Sequence, residues 1–179
     1  MSHILHLDSS SRSERSFSRT LSHESTTAWQ EAHPDDTVTY RDPGHQNIPF
    51  VTESWVAAAY SSPTDLTSEL KAADLYVMGI PLYNFSVPAV FKAYLDQIVR
   101  VGQTFAMGAS GYRGLVKDKK LLVITAQGGS YRLGTPMGSY NFHEPYLRAI
   151  FGFIGIADVS FIYADSLMGE EREKLVAAA

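Results

Sequence analysis

Five short segments of the chain are dominated by apolar or β-branched residues, and longer segments with helical or irregular patterns separate them. The five are Ile4–Leu7, Thr37–Arg41, Leu75–Ile80, Leu121–Thr125 and Val159–Tyr163. The third and fourth are almost continuously apolar, as is typical of strands covered on both faces in a parallel sheet. The second is a weaker strand prediction, because polar residues interrupt it.

The intervening segments carry helical patterns. The clearest helix prediction is Val87–Val101, where Pro88 suits the first turn. Its apolar stripe consists of Val90, Phe91, Tyr94, Leu95 and Ile98. Further helices are predicted at Ser16–His33, Leu66–Ala73, Pro145–Phe153 and Glu170–Ala178.

Two of the remaining patterns are less regular. In the helix predicted to start at Ser16, the apolar residues Phe17, Leu21 and Ala28 lie near one face. The region Pro43–Pro63 has three prolines and little periodicity, which predicts an irregular surface segment.

Strands that alternate with helices predict an α/β protein with a parallel sheet and right-handed crossovers. A length of 179 residues fits one domain, residues 1–179, with a sizeable core. The number of elements matches a flavodoxin-like three-layer sandwich with a five-stranded parallel sheet.

Composition narrows the possible functions. The net charge of −4 gives no basic field for nucleic acid. The absence of cysteine excludes disulfides, thiolate catalysis and cysteine-held metal centres, and we predict no metal site. The first residues lack the pattern of a signal peptide, and no apolar stretch approaches the roughly 20 residues that span a bilayer. We therefore expect a cytoplasmic protein that binds no membrane.

Serines crowd the loop after the first strand. Asp8 is followed by Ser9, Ser10, Ser11, Ser13 and Ser16, where the first helix begins. Serine hydroxyls and the N–H groups of a helix N-terminus both donate hydrogen bonds to phosphate. A flexible loop with Ser16 as an ordinary N-cap is the alternative interpretation. No Gly-x-Gly-x-x-Gly or P-loop motif occurs, so the loop favours the terminal phosphate of a mononucleotide.

The loop after the third strand, Pro81-Leu82-Tyr83-Asn84-Phe85, places an amide between two aromatic rings. Ligands of open α/β sheets bind beyond the carboxyl ends of the strands, where this loop is predicted to lie. Asn84 offers both donors and an acceptor, and the rings offer flat apolar walls. These side chains suit a flat ring with a hydrogen-bonding edge, although packing of Phe85 onto the sheet is the alternative.

Paired glycines follow the fourth strand, in Ala126-Gln127-Gly128-Gly129. Glycine lets a backbone approach a ligand closely, although a tight turn would also explain the pair. Because this loop is the third on the same predicted edge, we include it in the candidate site.

With these three loops, the chain resembles the FMN-dependent NADH:quinone oxidoreductases and azoreductases of the flavodoxin-like fold. The resemblance implies that Ser10, Ser16, Phe17 and Ser18 hold the FMN phosphate and that Leu82, Tyr83, Asn84 and Phe85 line the ring. It also implies that Ala126, Gln127, Gly128 and Gly129 close the far side. The family commonly has Ser-Arg before Gly-Gly, so Ala126-Gln127 removes a hydroxyl and a possible charge near the flavin.

The resemblance further implies two-electron, ping-pong hydride transfer from NADH or NADPH to quinones, azo compounds and nitroaromatics. The chemistry resides on the flavin, and Tyr131 and His143 are the weak candidates for proton donation. His143 is more readily explained as a loop or cap histidine. Members of the family are generally homodimers with the flavin at the subunit junction.

Two other functions remain open at this level. A flavodoxin-type electron carrier would share the fold and FMN, although the modest net charge gives little support for an acidic docking face. A flavin-free redox-sensing module is the second. The chain lacks the Gly-x-Ser-x-Gly motif of a serine hydrolase. It also lacks the acidic cluster and the lysine that a receiver module requires.

Overall fold

Five parallel strands form the central sheet, in the order β2 (Thr37–Arg41), β1 (His3–Asp8), β3 (Leu75–Gly79), β6 (Lys120–Ala126) and β7 (Asp158–Ala164). The computed structural model describes residues 1–58, 64–109 and 111–165. In chain order the elements are β1 (His3–Asp8), α1 (Phe17–Ala32), β2 (Thr37–Arg41), α2 (Glu53–Ala57), α3 (Asp65–Ala72), β3 (Leu75–Gly79), α4 (Ala89–Ile98), β4 (Phe105–Gly108), β5 (Gly111–Gly114), β6 (Lys120–Ala126), α5 (His143–Ile154) and β7 (Asp158–Ala164). The predicted flavodoxin-like α/β fold is confirmed.

Helices cover both faces of this sheet because alternate strand residues point to opposite sides. Leu5 and Leu7 join the larger apolar cluster, which contains Leu70 of α3, Phe91 of α4 and Phe151 of α5. Ile4, Val77 and Ile124 form the smaller cluster, against which Leu21 and Trp29 of α1 pack. The chain thus forms three layers, as predicted.

The buried face of α1 differs from the prediction. The residues it buries are Ser18, Ser22 and Thr26, whereas Ala28 is exposed. Ser22 Oγ on this face donates to Asp8 Oδ1 at 2.7 Å, whereas Leu21 packs against the smaller apolar cluster. Apolar periodicity therefore identified Leu21 as a packing residue but missed the buried hydroxyl stripe of α1.

The helix α2 and the β4–β5 hairpin were not predicted. The segment Pro43–Pro63 contains α2, whose N-cap Thr52 Oγ1 accepts a hydrogen bond from Trp55 N at 3.2 Å. Residues 59–63 lie outside the described part. The β4–β5 hairpin is antiparallel, and the helix predicted at Glu170–Ala178 lies outside the described residues.

Within the described ranges, no helix has the length and hydropathy needed to cross a membrane.

Parallel pairing brings the three candidate loops to one edge. In the sheet register, Asp8 of β1 lies beside Gly79 of β3, which lies beside Ile124 of β6. The residues that follow these positions therefore leave the sheet side by side, at its carboxyl edge.

Candidate functional site

Backbone hydrogen bonds hold the three loops together at the carboxyl edge. Ser9 N donates to Gly79 O at 3.0 Å, which joins the serine loop, residues 9–16, to the end of β3. Leu82 N donates to Ala126 O at 3.0 Å, which joins the loop after β3 to the end of β6. The structure thus brings the predicted site segments together.

The serine loop places several donors around the start of α1. Ser10, Ser16 and Ser18 are all buried, and the hydroxyls of Ser16 and Ser18 lie 3.4 Å apart. Ser16 is the N-cap residue, but its side chain makes no capping hydrogen bond, so it does not satisfy the first-turn N–H groups. Phe17 is the first residue of the helix. Unused N–H groups, hydroxyls and the helix dipole together fit a phosphate.

The Tyr83–Ser86 segment is a tight turn with an unusual backbone. Tyr83 N donates to Ser86 O at 2.9 Å and Ser86 N donates to Tyr83 O at 3.1 Å. Both central residues are left-handed, with φ of 48° at Asn84 and 71° at Phe85. Asparagine tolerates this conformation, whereas phenylalanine adopts it rarely. Such strain, of order 1–3 kcal/mol, persists where the surroundings enforce it, often at functional sites.

The surroundings of Phe85 supply that constraint. Its carbonyl accepts a hydrogen bond from Phe142 N at 3.1 Å. Its ring lies 5.7 Å from the ring of Tyr131 and 5.1 Å from that of Tyr140, measured between centroids. The side chain of the neighbouring Asn84 is exposed. The turn therefore presents an amide next to an aromatic cluster.

Tyr83 couples this turn to the serine loop. Its hydroxyl accepts from Ser11 N at 3.3 Å and lies 3.1 Å from Ser11 Oγ and 3.4 Å from Ser10 Oγ. Burial opposes ionisation of Tyr83, but the hydrogen bonds from Ser10 and Ser11 outweigh it and lower the pKa of this phenol. The serine loop and the Tyr83–Ser86 turn are thus fixed relative to each other.

The loop after β6 contributes a buried amide without a complete set of partners. Gln127 is 2 % exposed, and its backbone N donates to Ala164 O at 2.9 Å. Its Oε1 is buried and has no hydrogen-bond partner among the described residues. An unsatisfied buried acceptor is costly, so a ligand N–H would stabilise this side chain. Gly128 is exposed, and Gly129 lies beside Tyr131.

The two candidate proton donors lie in different environments. Tyr131 is half-buried within the aromatic cluster. His143, at the start of α5, is 1 % exposed, and burial lowers its pKa to about 4 despite the Ile80 backbone and the Glu144 carboxylate. Its ring is therefore neutral at pH 7 and lies in the interior.

Sequence reasoning missed three residues near the turn. Tyr140 belongs to the aromatic cluster, and the backbone N of Phe142 donates to Phe85 O. Asn141 Oδ1 accepts hydrogen bonds from the backbone N of His143 at 3.2 Å and of Glu144 at 3.1 Å. Asn141 thus accepts hydrogen bonds from the first two N–H groups of α5, which begins two residues before the predicted Pro145. An asparagine shortly before a helical pattern was the available signal.

Comparison with known proteins agrees with this geometry. A sequence profile of the family described as "Flavodoxin-like fold" matches residues 2–179. FMN-dependent NADH:quinone oxidoreductase 2 of Trichormus variabilis is 55 % identical over 196 aligned positions, which cover 100 % of this chain and 95 % of that protein. The corresponding enzyme of Nostoc punctiforme is 50 % identical over 100 % of this chain and 95 % of its own length.

Solved structures give the same result. An azoreductase from Bacillus anthracis has a TM-score of 0.83 and 26 % identity, covering 99 % of this chain and 94 % of that one. The predicted resemblance is confirmed: the chain belongs to the flavodoxin-like family, among the FMN-dependent NADH:quinone oxidoreductases and azoreductases.

Proposed function

We propose that this chain binds FMN at the carboxyl edge of its sheet and uses it to oxidise NADH and reduce quinones and azo compounds. One observation carries the proposal. The N-terminus of α1 has no side-chain cap and lies beside buried serines of the serine loop, and Tyr83 joins this loop to the Tyr83–Ser86 turn with its aromatic and amide side chains. A phosphate donor set therefore lies next to walls that suit a flat ring.

The residues divide by their chemistry. The phosphate is held by Ser10, Ser16, Phe17 and Ser18, the ring is lined by Leu82, Tyr83, Asn84 and Phe85, and its far side is closed by Ala126, Gln127, Gly128 and Gly129. The Asn84 amide suits the hydrogen-bonding edge of the ring, and the unpaired Gln127 Oε1 suits a ring N–H. These side chains bind and orient the cofactor rather than react.

When bound, FMN supplies two-electron chemistry, taking a hydride from a nicotinamide and passing the electrons to the second substrate. The aromatic cluster of Phe85, Tyr131 and Tyr140 provides a surface on which planar substrates stack. Because donor and acceptor use the same space, we propose ping-pong kinetics, with NADPH as an alternative donor and nitroaromatics as further acceptors. Tyr131 is the better-placed proton donor, since His143 is buried and neutral.

We also propose that the protein works as a homodimer. Exposed apolar side chains surround the hairpin and the site, including Met107 at 64 %, Tyr112 at 65 % and Phe142 at 60 %. The Tyr112 ring packs against the rings of Phe105 and Phe153. A second copy of the chain would cover these surfaces and complete the wall of the site.

Steady-state kinetics of NADH oxidation with a benzoquinone test this activity. Parallel double-reciprocal lines at several quinone concentrations are expected, because the nicotinamide leaves before the quinone enters. Intersecting lines would argue against ping-pong order while leaving the activity intact. No NADH oxidation by FMN-loaded protein would contradict the proposal and favour an electron carrier.

A further inference from the structure

A partly buried ion pair lies behind the serine loop and is not part of the predicted site. Arg19 stands in the first turn of α1 and Asp42 directly follows β2. Arg19 Nη2 donates to Asp42 Oδ1 at 2.6 Å, and Nη1 donates to Oδ2 at 2.9 Å. Burial favours the neutral acid, but hydrogen bonds from Arg19 and His45 outweigh it and lower the pKa of Asp42. The pair is therefore ionised and bidentate.

The same guanidinium holds the backbone of the serine loop. Arg19 Nη2 donates to the Ser10 carbonyl oxygen at 2.6 Å. A carbonyl that faced a phosphate would repel it, because both carry negative charge on oxygen. With its carbonyl turned toward Arg19, the Ser10 peptide leaves hydroxyl and N–H donors for an anion.

Two further contacts fix this arrangement. A Cβ on Gly44 would lie 2.2 Å from Ser10 O and 2.5 Å from Arg19 Nη2. The segment after β2 can therefore pack against the serine loop only because residue 44 is a glycine. Tyr40 OH accepts from Arg19 Nη1 at 3.0 Å and donates to Asp8 Oδ2 at 3.2 Å. The pair is thus tied to both Asp8 and Ser10, at the start of the loop.

Arg19 offers little free charge to a ligand. Asp42 accepts both of its terminal nitrogens, and Asp8 Oδ2 lies 3.9 Å from Nη1. Two carboxylates therefore offset one guanidinium. Any effect of Arg19 on an anion must pass through the backbone that it holds, which makes it a positioning residue.

We propose that the Arg19–Asp42 pair sets the selectivity of the site for a phosphorylated flavin over the same flavin without its phosphate. This rests on the proposed function, since it requires that the serine loop hold the FMN phosphate. The pair acts mainly on the phosphate end, because its contacts reach the Asp8–Ser10 segment directly, whereas the Asn84 turn meets that segment through Tyr83.

Equilibrium titrations of apo-protein with FMN and with riboflavin test the proposal. Arg19→Met is expected to raise the FMN Kd by about tenfold or more and to change the riboflavin Kd by less than about threefold, so the preference for FMN falls. Arg19→Lys keeps the positive charge but loses the two-nitrogen contact of the guanidinium with Asp42. Its preference for FMN over riboflavin is therefore expected to lie between those of the wild type and Arg19→Met. If Arg19→Met does not fold, Gly44→Ala displaces the Ser10 carbonyl instead and is expected to act in the same direction.

Arg41→Met is the matched control. Arg41 is the neighbouring residue of Asp42, makes a bidentate pair with Glu69 and contacts Gln46, none of which belongs to the serine loop. Its variant should keep the wild-type preference. An unchanged preference in Arg19→Met, a parallel rise of both dissociation constants, or an equal effect of Arg41→Met would overturn the inference. Wild-type protein that binds neither flavin would instead contradict the proposed function, before any variant is compared.

Discussion

Ser16→Asp is expected to leave the apo-protein as stable as the wild type or slightly more stable, while FMN binding falls by about 30- to 1000-fold. Aspartate is a good N-cap and its charge suits the helix dipole, a gain of about 0.3–1 kcal/mol. Ser16 makes no side-chain cap at present. The new carboxylate would occupy the first-turn N–H groups and repel a phosphate, at a cost of about 2–4 kcal/mol.

Ser16→Asn separates charge from capping. Asparagine caps the helix as well as aspartate but carries no charge, so its loss of FMN affinity should be much smaller. Thermal unfolding of the apo-proteins and FMN titrations give the two quantities independently. Equal FMN affinity in wild type and Ser16→Asp would place the phosphate elsewhere.

Gly79→Ala has the largest expected effect on stability. A Cβ at this position would lie 2.2 Å from Asp8 Oδ1 and 3.0 Å from Ser18 O. Asp8 cannot easily move away, because it is 2 % exposed and accepts hydrogen bonds from Ser22 and Tyr40. We expect the free energy of unfolding to fall by about 2–3 kcal/mol, as is usual for overpacking at a buried site.

The control for this variant is Gly152→Ala. Gly152 lies in α5, and an added Cβ would meet nothing within 4 Å. Alanine there is expected to stabilise the protein by about 0.5–1 kcal/mol, since it lowers the backbone entropy lost on folding. Urea unfolding of both variants measures the difference. If Gly79→Ala leaves the free energy of unfolding unchanged, Asp8 and its partners Ser22 and Tyr40 can move to accommodate the added methyl group at no cost.

Strong local patterns made the sheet predictable. The runs at β3 and β6 are almost continuously apolar because helices cover both faces of the sheet. Both strands begin and end within one residue of their predicted bounds. The three loops could be placed on one edge because parallel pairing fixes where strands end. The Tyr83–Phe85 turn was thus found from the sequence, although its left-handed backbone was not.

Long-range polar contacts could not be predicted in the same way. Asp8, Arg19 and Asp42 are ordinary charged residues in the sequence. Only folding brings Asp42 within hydrogen-bond distance of Arg19. The buried hydroxyls of α1 belong to the same cluster, since Ser22 donates to Asp8, and apolar periodicity does not reveal them. The β4–β5 hairpin was missed because each strand has only four residues, too few for a periodic signal.

Flavin retention by the purified protein is the most direct test of the proposed cofactor site. Protein mixed with excess FMN and passed through a gel-filtration column should keep a yellow absorption spectrum, with about one FMN per chain. The residues proposed to hold the phosphate and to line the ring all belong to this chain, so one FMN per chain is the expected stoichiometry. Protein that emerges colourless, with no FMN retained at any loading concentration, would contradict it.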